Sequence, residues 1–176
     1  MIKYLMKMFP NSPSEDNYDN WEIFNHDNYL KSSDENKKKI RRLSCKGRYD
    51  IEKDIKFSWM ENYFLKHIGQ DKLENKVLLD IGCFTGGRLL AWAENYKIKK
   101  SYGLDINPVF KIAAEEFAEE KNLNADFKTG IGEKLPYEDN FFDFVVSTDT
   151  FEHVQNLESS IDECFRVLKP GGTMLA

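Results

Sequence analysis

The sequence predicts an α/β fold, a doubly wound and mostly parallel sheet with helices on both faces. Three observations carry it. Beyond residue 76, short apolar runs alternate with segments of helical periodicity, the pattern of strands joined by crossover helices. The first run, Val77-Leu-Leu-Asp-Ile81, is apolar at nearly every position, as a strand covered on both faces must be. Directly after it, Gly82, Gly86 and Gly87 crowd together, where a strand turns sharply into a helix and offers backbone N–H groups to a ligand.

Residues 1–50 stand apart from this pattern. They are rich in Asn, Asp, Ser and Lys, with aromatics scattered at Tyr18, Trp21, Phe24 and Tyr29, and short helices, loops and partial disorder are expected. Lys37, Lys38, Lys39, Arg41 and Arg42 form a basic cluster, read as a solvated helix face, with contact to an anionic acceptor as the sharper alternative. Between Ile51 and Ile68 the apolar positions Ile55, Trp59, Met60, Tyr63, Phe64 and Ile68 recur at three and four residues. That predicts one amphipathic helix, closed by Gly69.

After the first strand, Leu89, Leu90 and Ala93 continue at helical spacing. A second strand is expected at Ser101–Asp105. Asn107-Pro108 then reads as an N-cap with proline at the first helical position. That helix should bury Val109, Ile112, Ala113 and Phe117, leaving Glu115, Glu116, Glu119 and Glu120 mainly on its wet face. A third strand follows at Ala125–Thr129, then a loop to Asn140, then a fourth run over Phe141–Thr148. Leu157, Ile161, Cys164, Phe165 and Leu168 share one side of a further helix, Lys169-Pro-Gly-Gly172 reads as a turn, and Thr173–Ala176 begins a fifth strand.

The 176 residues are enough for one domain plus an extension, with 41% apolar residues to fill a core. A net charge of −5 disfavours nucleic acid and anionic membranes as partners. Cys45, Cys83 and Cys164 are far apart and odd in number, so neither a metal site nor a disulfide framework is expected, and a reduced, cytoplasmic setting fits. Met1–Phe9 is interrupted by Lys3 and Lys7, which reads as neither leader nor membrane span.

In such a sheet the ligand sits beyond the C-terminal strand ends, where strand order reverses. Two ligands compete for the glycine turn. A nicotinamide dinucleotide wants a small residue at the middle of the loop, to let backbone approach a pyrophosphate. Phe84 stands there, and Asp80, a carboxylate just before the loop, would repel phosphate. A phosphate-free nucleoside with a positive charge suits the same surroundings, namely S-adenosylmethionine. Its carboxylate can take N–H groups from the glycine turn. Asp105, at the end of the second strand, is the carboxylate a ribose diol wants, and both readings share it.

The stretches Val77-Leu-Leu-Asp-Ile-Gly-Cys83, Gly103-Leu-Asp-Ile-Asn-Pro108, Glu133-Lys-Leu-Pro-Tyr137, Phe142-Asp-Phe-Val-Val-Ser147, Glu152-His-Val154 and Arg166-Val-Leu-Lys-Pro-Gly-Gly172 are similar, in order and spacing, to motifs of the class I S-adenosylmethionine-dependent methyltransferases. The "type 11" subfamily related to quinone biosynthesis is the nearest in kind. The resemblance implies a Rossmann-like fold and a set of roles. Asp80, Gly82, Cys83 and Gly86 would line the methionine end. Asp105 would hold both ribose hydroxyls and Ile106 would pack on the adenine. The stretch from Gly130 through Ile131, Gly132 and Glu133 would border the adenine edge, with Ile131 where the family often has an acidic residue. Ser147 and Thr148 would lie under the sulfonium.

Methyl transfer from a sulfonium has a good leaving group, so positioning and exclusion of water carry much of the catalysis. Glu152 and His153 are the candidates should the acceptor need a general base. Residues 1–50 are expected to act as an extension and lid, and 51–176 as the cofactor-binding domain, truncated near the start of strand five. A missing C-terminal segment or a partner would then complete the sheet, and the chain alone would be marginally stable. Methyl transfer to a small-molecule acceptor is the favoured function. The alternatives are a non-catalytic cofactor-binding fragment and, less favoured, an NAD-dependent oxidoreductase.

Overall fold

The computed structural model describes residues 26–69 and 72–176. The aromatics Tyr18, Trp21 and Phe24 and the start of the chain lie outside the described residues. The elements are α1 (His26–Lys31), α2 (Asp34–Lys53), a π-helical turn (Met60–Phe64) running into α3 (Leu65–Ile68), β1 (Val77–Ile81), α4 (Gly87–Asn95), β2 (Lys100–Asp105), α5 (Pro108–Lys121), β3 (Ala125–Thr129), β4 (Phe142–Ser147), a 3-10 turn (Phe151–His153), α6 (Leu157–Val167) and β5 (Leu168–Leu175).

All five strands are parallel, in the order β3-β2-β1-β4-β5. β1 lies at the centre because it has no wet face: Leu78 and Leu79 are fully buried and Ile81 nearly so. Side-chain alternation sends Leu78 and Asp80 to one side and Leu79 and Ile81 to the other. On Leu78's side, Cys45 and Tyr49 of α2 pack with Leu89 and Trp92 of α4 and Phe117 of α5. On the other side Leu79, Ile81, Phe142 and Val145 meet Cys164 and Val167 of α6. The expected doubly wound sheet with helices on both faces is therefore present. Strand order reverses between β1's neighbours β2 and β4, with Ile81 paired to Leu104 on one side and Ser147 on the other.

The single helix expected over Ile51–Ile68 is two. α2 starts at Asp34, capped by Ser33, whose Oγ accepts from the Asn36 N–H, and it runs without a break past residue 50 to Lys53. The chain then turns on the Asp54 carbonyl, which accepts from Phe57 and Ser58 N–H. The cause is Glu52, buried to 2% exposure. Its Oε1 accepts from Ser58 Oγ at 2.6 Å, Met60 N–H at 3.1 Å and Trp92 Nε1 at 2.5 Å, which folds the following segment back onto α4. Ile55, at the bend, is 62% exposed. Glu52→Ala strands three buried donors at once and is expected to cost about 3 kcal/mol, read as a lower urea midpoint at unchanged slope.

The stripe of α5 is rotated from the one expected. Ala113, Ala114, Phe117 and Ala118 are buried, while Ile112 is 43% exposed. The reason is α2. Arg41 forks onto Glu116 and Arg42 onto Glu120, so two of the five basic residues neutralise part of an acidic face that the sequence suggested was wet. On α6 the buried line is Ser160, Cys164 and Val167, and Phe165 is 64% exposed. Lys169-Pro-Gly-Gly172 is not a turn before a strand but a bulge within β5. Phe142 pairs with Leu168 and Phe144 with Thr173, so four residues face one, with Gly171 at φ +80°. No helix among the described residues is long and apolar enough to cross a membrane.

Candidate cofactor site

A cavity of about 650 Å³ opens at the C-terminal ends of β1, β2 and β4, the place the strand order marks. Asp80 forms its floor. It is 2% exposed, and its Oδ1 meets no hydrogen-bond donor among the described residues. Burial pushes its carboxyl up to about 7; Arg88 and Arg48 oppose the shift, and Asp105 and Glu52 add to it. A buried carboxylate on the cavity lining favours a cation near it.

The turn after β1 is built for close approach, and its N–H groups serve the protein. Gly82 and Cys83 N–H both donate to the Leu104 carbonyl, at 2.8 and 3.0 Å, and Phe84 N–H donates to Asp105 Oδ2 at 2.9 Å. Gly82 has φ +75°, and a Cβ there would stand 2.0 Å from Thr150 Oγ1. Gly82→Ala is therefore expected to cost about 2 kcal/mol or more, seen as a lower melting temperature. Phe84 adopts φ +51° and lays its ring on Phe110, with centroids 4.2 Å apart, so it lines the cavity wall beside the loop's centre. Cys83 lines the cavity too, its thiol pushed well up by burial. Gly86 does not. It is the left-handed N-cap of α4, and a Cβ on it would meet Ala114 and Phe127, so its role is packing.

Asp105 stands across from Asp80. Its Oδ1 accepts from Asn107 N–H at 2.9 Å and its Oδ2 from Phe84 N–H, which fixes the plane of the carboxylate. Burial raises its pKa against the pull of these N–H groups. Ile106, 72% exposed, offers an apolar surface on the cavity rim. Ile131 and Gly132 line the opposite edge, in a tight turn closed by the Ile131–Lys134 bridge. Glu133 lines it as well, but its Oε1 accepts from Gln155 and Asn156 N–H. Its own N–H and those two hold the carboxyl below its usual range, so it braces the approach to α6.

The far wall comes from the end of β4. Thr148 lines the cavity and accepts from Arg88 Nη1. Ser147 does not line it; its Oγ donates to the Ile81 carbonyl, a clasp between β1 and β4. Of the two general-base candidates, His153 reaches the rim with its side chain 76% exposed, and Glu152 lies outside the lining. Arg48, Arg88, Asp149 and Thr150 are also on the wall, and none of them belongs to a motif visible in the sequence. For Arg48 a signal existed: Cys45, Tyr49 and Glu52 mark a buried face on α2, and Arg48 sits at its edge. No group of His, Cys, Asp or Glu among the described residues could hold a metal ion.

These features can be set against a positively charged nucleoside without phosphates. An orphaned buried carboxylate oxygen suits an ammonium or sulfonium and opposes a pyrophosphate. A fixed carboxylate suits a vicinal diol. An exposed isoleucine beside it suits the face of a base. The chemistry of this lining suits S-adenosylmethionine, whose sulfonium and ammonium a buried carboxylate would favour.

The sheet order and the cavity at its switch point define an α/β protein of the doubly wound class. Residues 79–176, more than half the chain, match the family described as "Methyltransferase domain", and the chain belongs to it. Norajmaline N-methyltransferase of Rauvolfia serpentina is 34% identical over 102 residues, 57% of this chain and 35% of that protein. Ubiquinone biosynthesis O-methyltransferase of Maricaulis maris is 30% identical over 125 residues, 69% of this chain and 48% of that protein. The crystal structure of the YcgJ protein of Bacillus subtilis superposes with a TM-score of 0.56 at 30% identity, covering 61% of this chain and 47% of that one. The chain thus spans from about a third to about half the length of these relatives.

Proposed function

We propose that this protein binds S-adenosylmethionine and passes its methyl group to a small-molecule acceptor. The observation that carries the reading is Asp80, a carboxylate 2% exposed that lines the cavity and has one unmatched oxygen, with a second carboxylate, Asp105, close enough to raise its pKa. The cofactor supplies an electrophilic methyl group on a good leaving thioether. The residues of this chain supply binding and orientation: Asp105 fixes the sugar, Asp80 the charged end, and the β4 exit at Thr148 and Thr150 closes the side from which an acceptor approaches. His153, at the rim, is the residue within this reading best placed to take a proton from an acceptor. The exposed edge at β5 is taken to be covered by further chain or a partner.

The relatives' names point to N- and O-acceptors alike, and quinone-like acceptors are the finer form of the proposal. Incubation with methyl-labelled cofactor and pools of small amines, phenols and quinols tests it. Label transferred to a small molecule with release of S-adenosylhomocysteine is expected. Cofactor binding with no transfer to any pool would favour the non-catalytic alternative.

A further inference from the structure

We propose that Thr148, held by Arg88, donates a hydrogen bond to the ionised oxygen of the methyl acceptor, so that the acceptor is a phenol-like hydroxyl compound and the transfer an O-methylation. The proposal deepens the S-adenosylmethionine reading above and rests on it.

Three observations lead to it. First, three hydroxyls stand at the exit of β4, and two have spent their protons. Ser147 Oγ donates to the Ile81 carbonyl at 3.2 Å, and Thr150 Oγ1 to the Ile81 and Thr148 carbonyls at 3.3 and 3.1 Å. Thr148 Oγ1 instead accepts from Arg88 Nη1. A hydroxyl has one proton to give, and that of Thr148 meets no acceptor among the described residues. Second, Thr148 and Arg88 both line the cavity. A hydroxyl that accepts from a guanidinium is polarised and donates more strongly, and a preset donor suits an oxygen that carries negative charge. A phenolate oxygen accepts through one lone pair and attacks through another. A neutral amine has a single lone pair, which the same hydrogen bond would occupy. Third, the surroundings of Arg88 are aromatic. Its guanidinium carbon lies 5.2 Å from the Trp59 ring centre, and Trp59 packs on Tyr63 with centroids 4.6 Å apart, Tyr63 being half exposed. Flat apolar faces beside the donor suit a planar ring.

The charges near Thr148 are Arg88, Arg48 on the same wall, Asp80, Asp149 and, at the rim, His153. Behind Arg88, Glu52 stands 4.0 Å away, its Oε1 already held by Ser58, Met60 and Trp92. Within the S-adenosylmethionine reading Asp80 is matched by the cationic end of the cofactor. Asp149 is exposed and screened by solvent. That leaves the Arg88–Thr148 pair to favour the anion. The acceptor's proton leaves before the transfer, to His153. The bared oxygen then forms the new C–O bond as the methyl–sulfur bond breaks, and the electron pair of that bond stays on sulfur.

The test uses the full chain loaded with S-adenosylhomocysteine, and 4-nitrophenol as the probe, because its phenolate absorbs visible light and its phenol does not. The bound probe should ionise with a pKa about one unit below its value in buffer, the shift expected of one charge-assisted hydrogen bond. Thr148→Val should abolish the shift, Thr148→Ser should keep it, and Arg88→Gln should lose most of it. No shift in the unaltered protein, an equal shift in Thr148→Val, or no binding of the probe to the loaded protein would overturn the proposal. So would a Thr148→Val variant whose affinity for S-adenosylhomocysteine drops about tenfold while that for 5′-methylthioadenosine, which lacks the amino acid, holds; the proton then serves the cofactor's carboxylate. Should S-adenosylhomocysteine fail to bind the unaltered protein, the cofactor reading fails and this proposal with it, whereas failure of the proposal alone leaves that binding intact.

Discussion

Asp105→Asn is expected to weaken binding of S-adenosylhomocysteine about 100-fold, by the loss of hydrogen bonds to a charged acceptor at about 1.5–3 kcal/mol each. The carboxylate has four acceptor positions. Backbone N–H groups of Phe84 and Asn107 hold its two oxygens, with the Ile106 N–H adding to their pull, and a ribose diol in the cavity would donate to the positions left over. An amide in this place turns one oxygen into a donor. That group then opposes either a backbone N–H, loosening the loop, or a ribose hydroxyl, losing the ligand. Folding should suffer less than binding, by about 1 kcal/mol, because the oxygen that an amide keeps still accepts from its backbone N–H. Equilibrium titration alongside a thermal melt separates the two effects.

The second large effect is in pH. The Asp80 carboxyl is held up to about 7, first by burial, so near neutrality it is partly protonated in the free protein. A cationic ligand above it favours the ionised form. Affinity for S-adenosylmethionine should therefore rise up to about tenfold per pH unit below that value and level off above it. Calorimetry in buffers of different ionisation enthalpy should register proton release on binding at pH 6 and little at pH 8. The stability of the free protein runs the other way. A carboxyl whose folded pKa lies above its unfolded value stabilises the fold in acid, and that contribution fades as pH rises through about 7. Asp80→Asn should remove both dependences, stabilise the free protein at pH 8 by about 1–2 kcal/mol and weaken cofactor binding, the usual opposition of stability and function at a site.

What could be read from the sequence was whatever local chemistry decides. β1 declared itself through an unbroken apolar run, and α5 through Asn107, whose side chain accepts from Val109 N–H ahead of Pro108. The placement of Asp80 and Asp105 on the cavity followed from strand ends and topology alone. What stayed hidden depends on partners far along the chain. Glu52 breaks a helical pattern because Trp92, 40 residues on, donates to it. Glu116 leaves the wet face because Arg41, 75 residues earlier, forks onto it. Gly86 looks like a ligand-binding glycine in sequence, and only the Ala114 and Phe127 side chains behind it show a packing role. Arg48 reaches the cavity through helix docking at Gly87, which no local pattern encodes.

The cavity should accept a cationic, phosphate-free nucleoside. Calorimetric titration of the purified chain with S-adenosylmethionine, with NAD as the contrasting ligand, tests it most directly. Saturable one-to-one binding of the sulfonium compound in the micromolar range and no heat from the dinucleotide are expected. Saturable binding of NAD, or no saturation by S-adenosylmethionine at millimolar concentration, would contradict it.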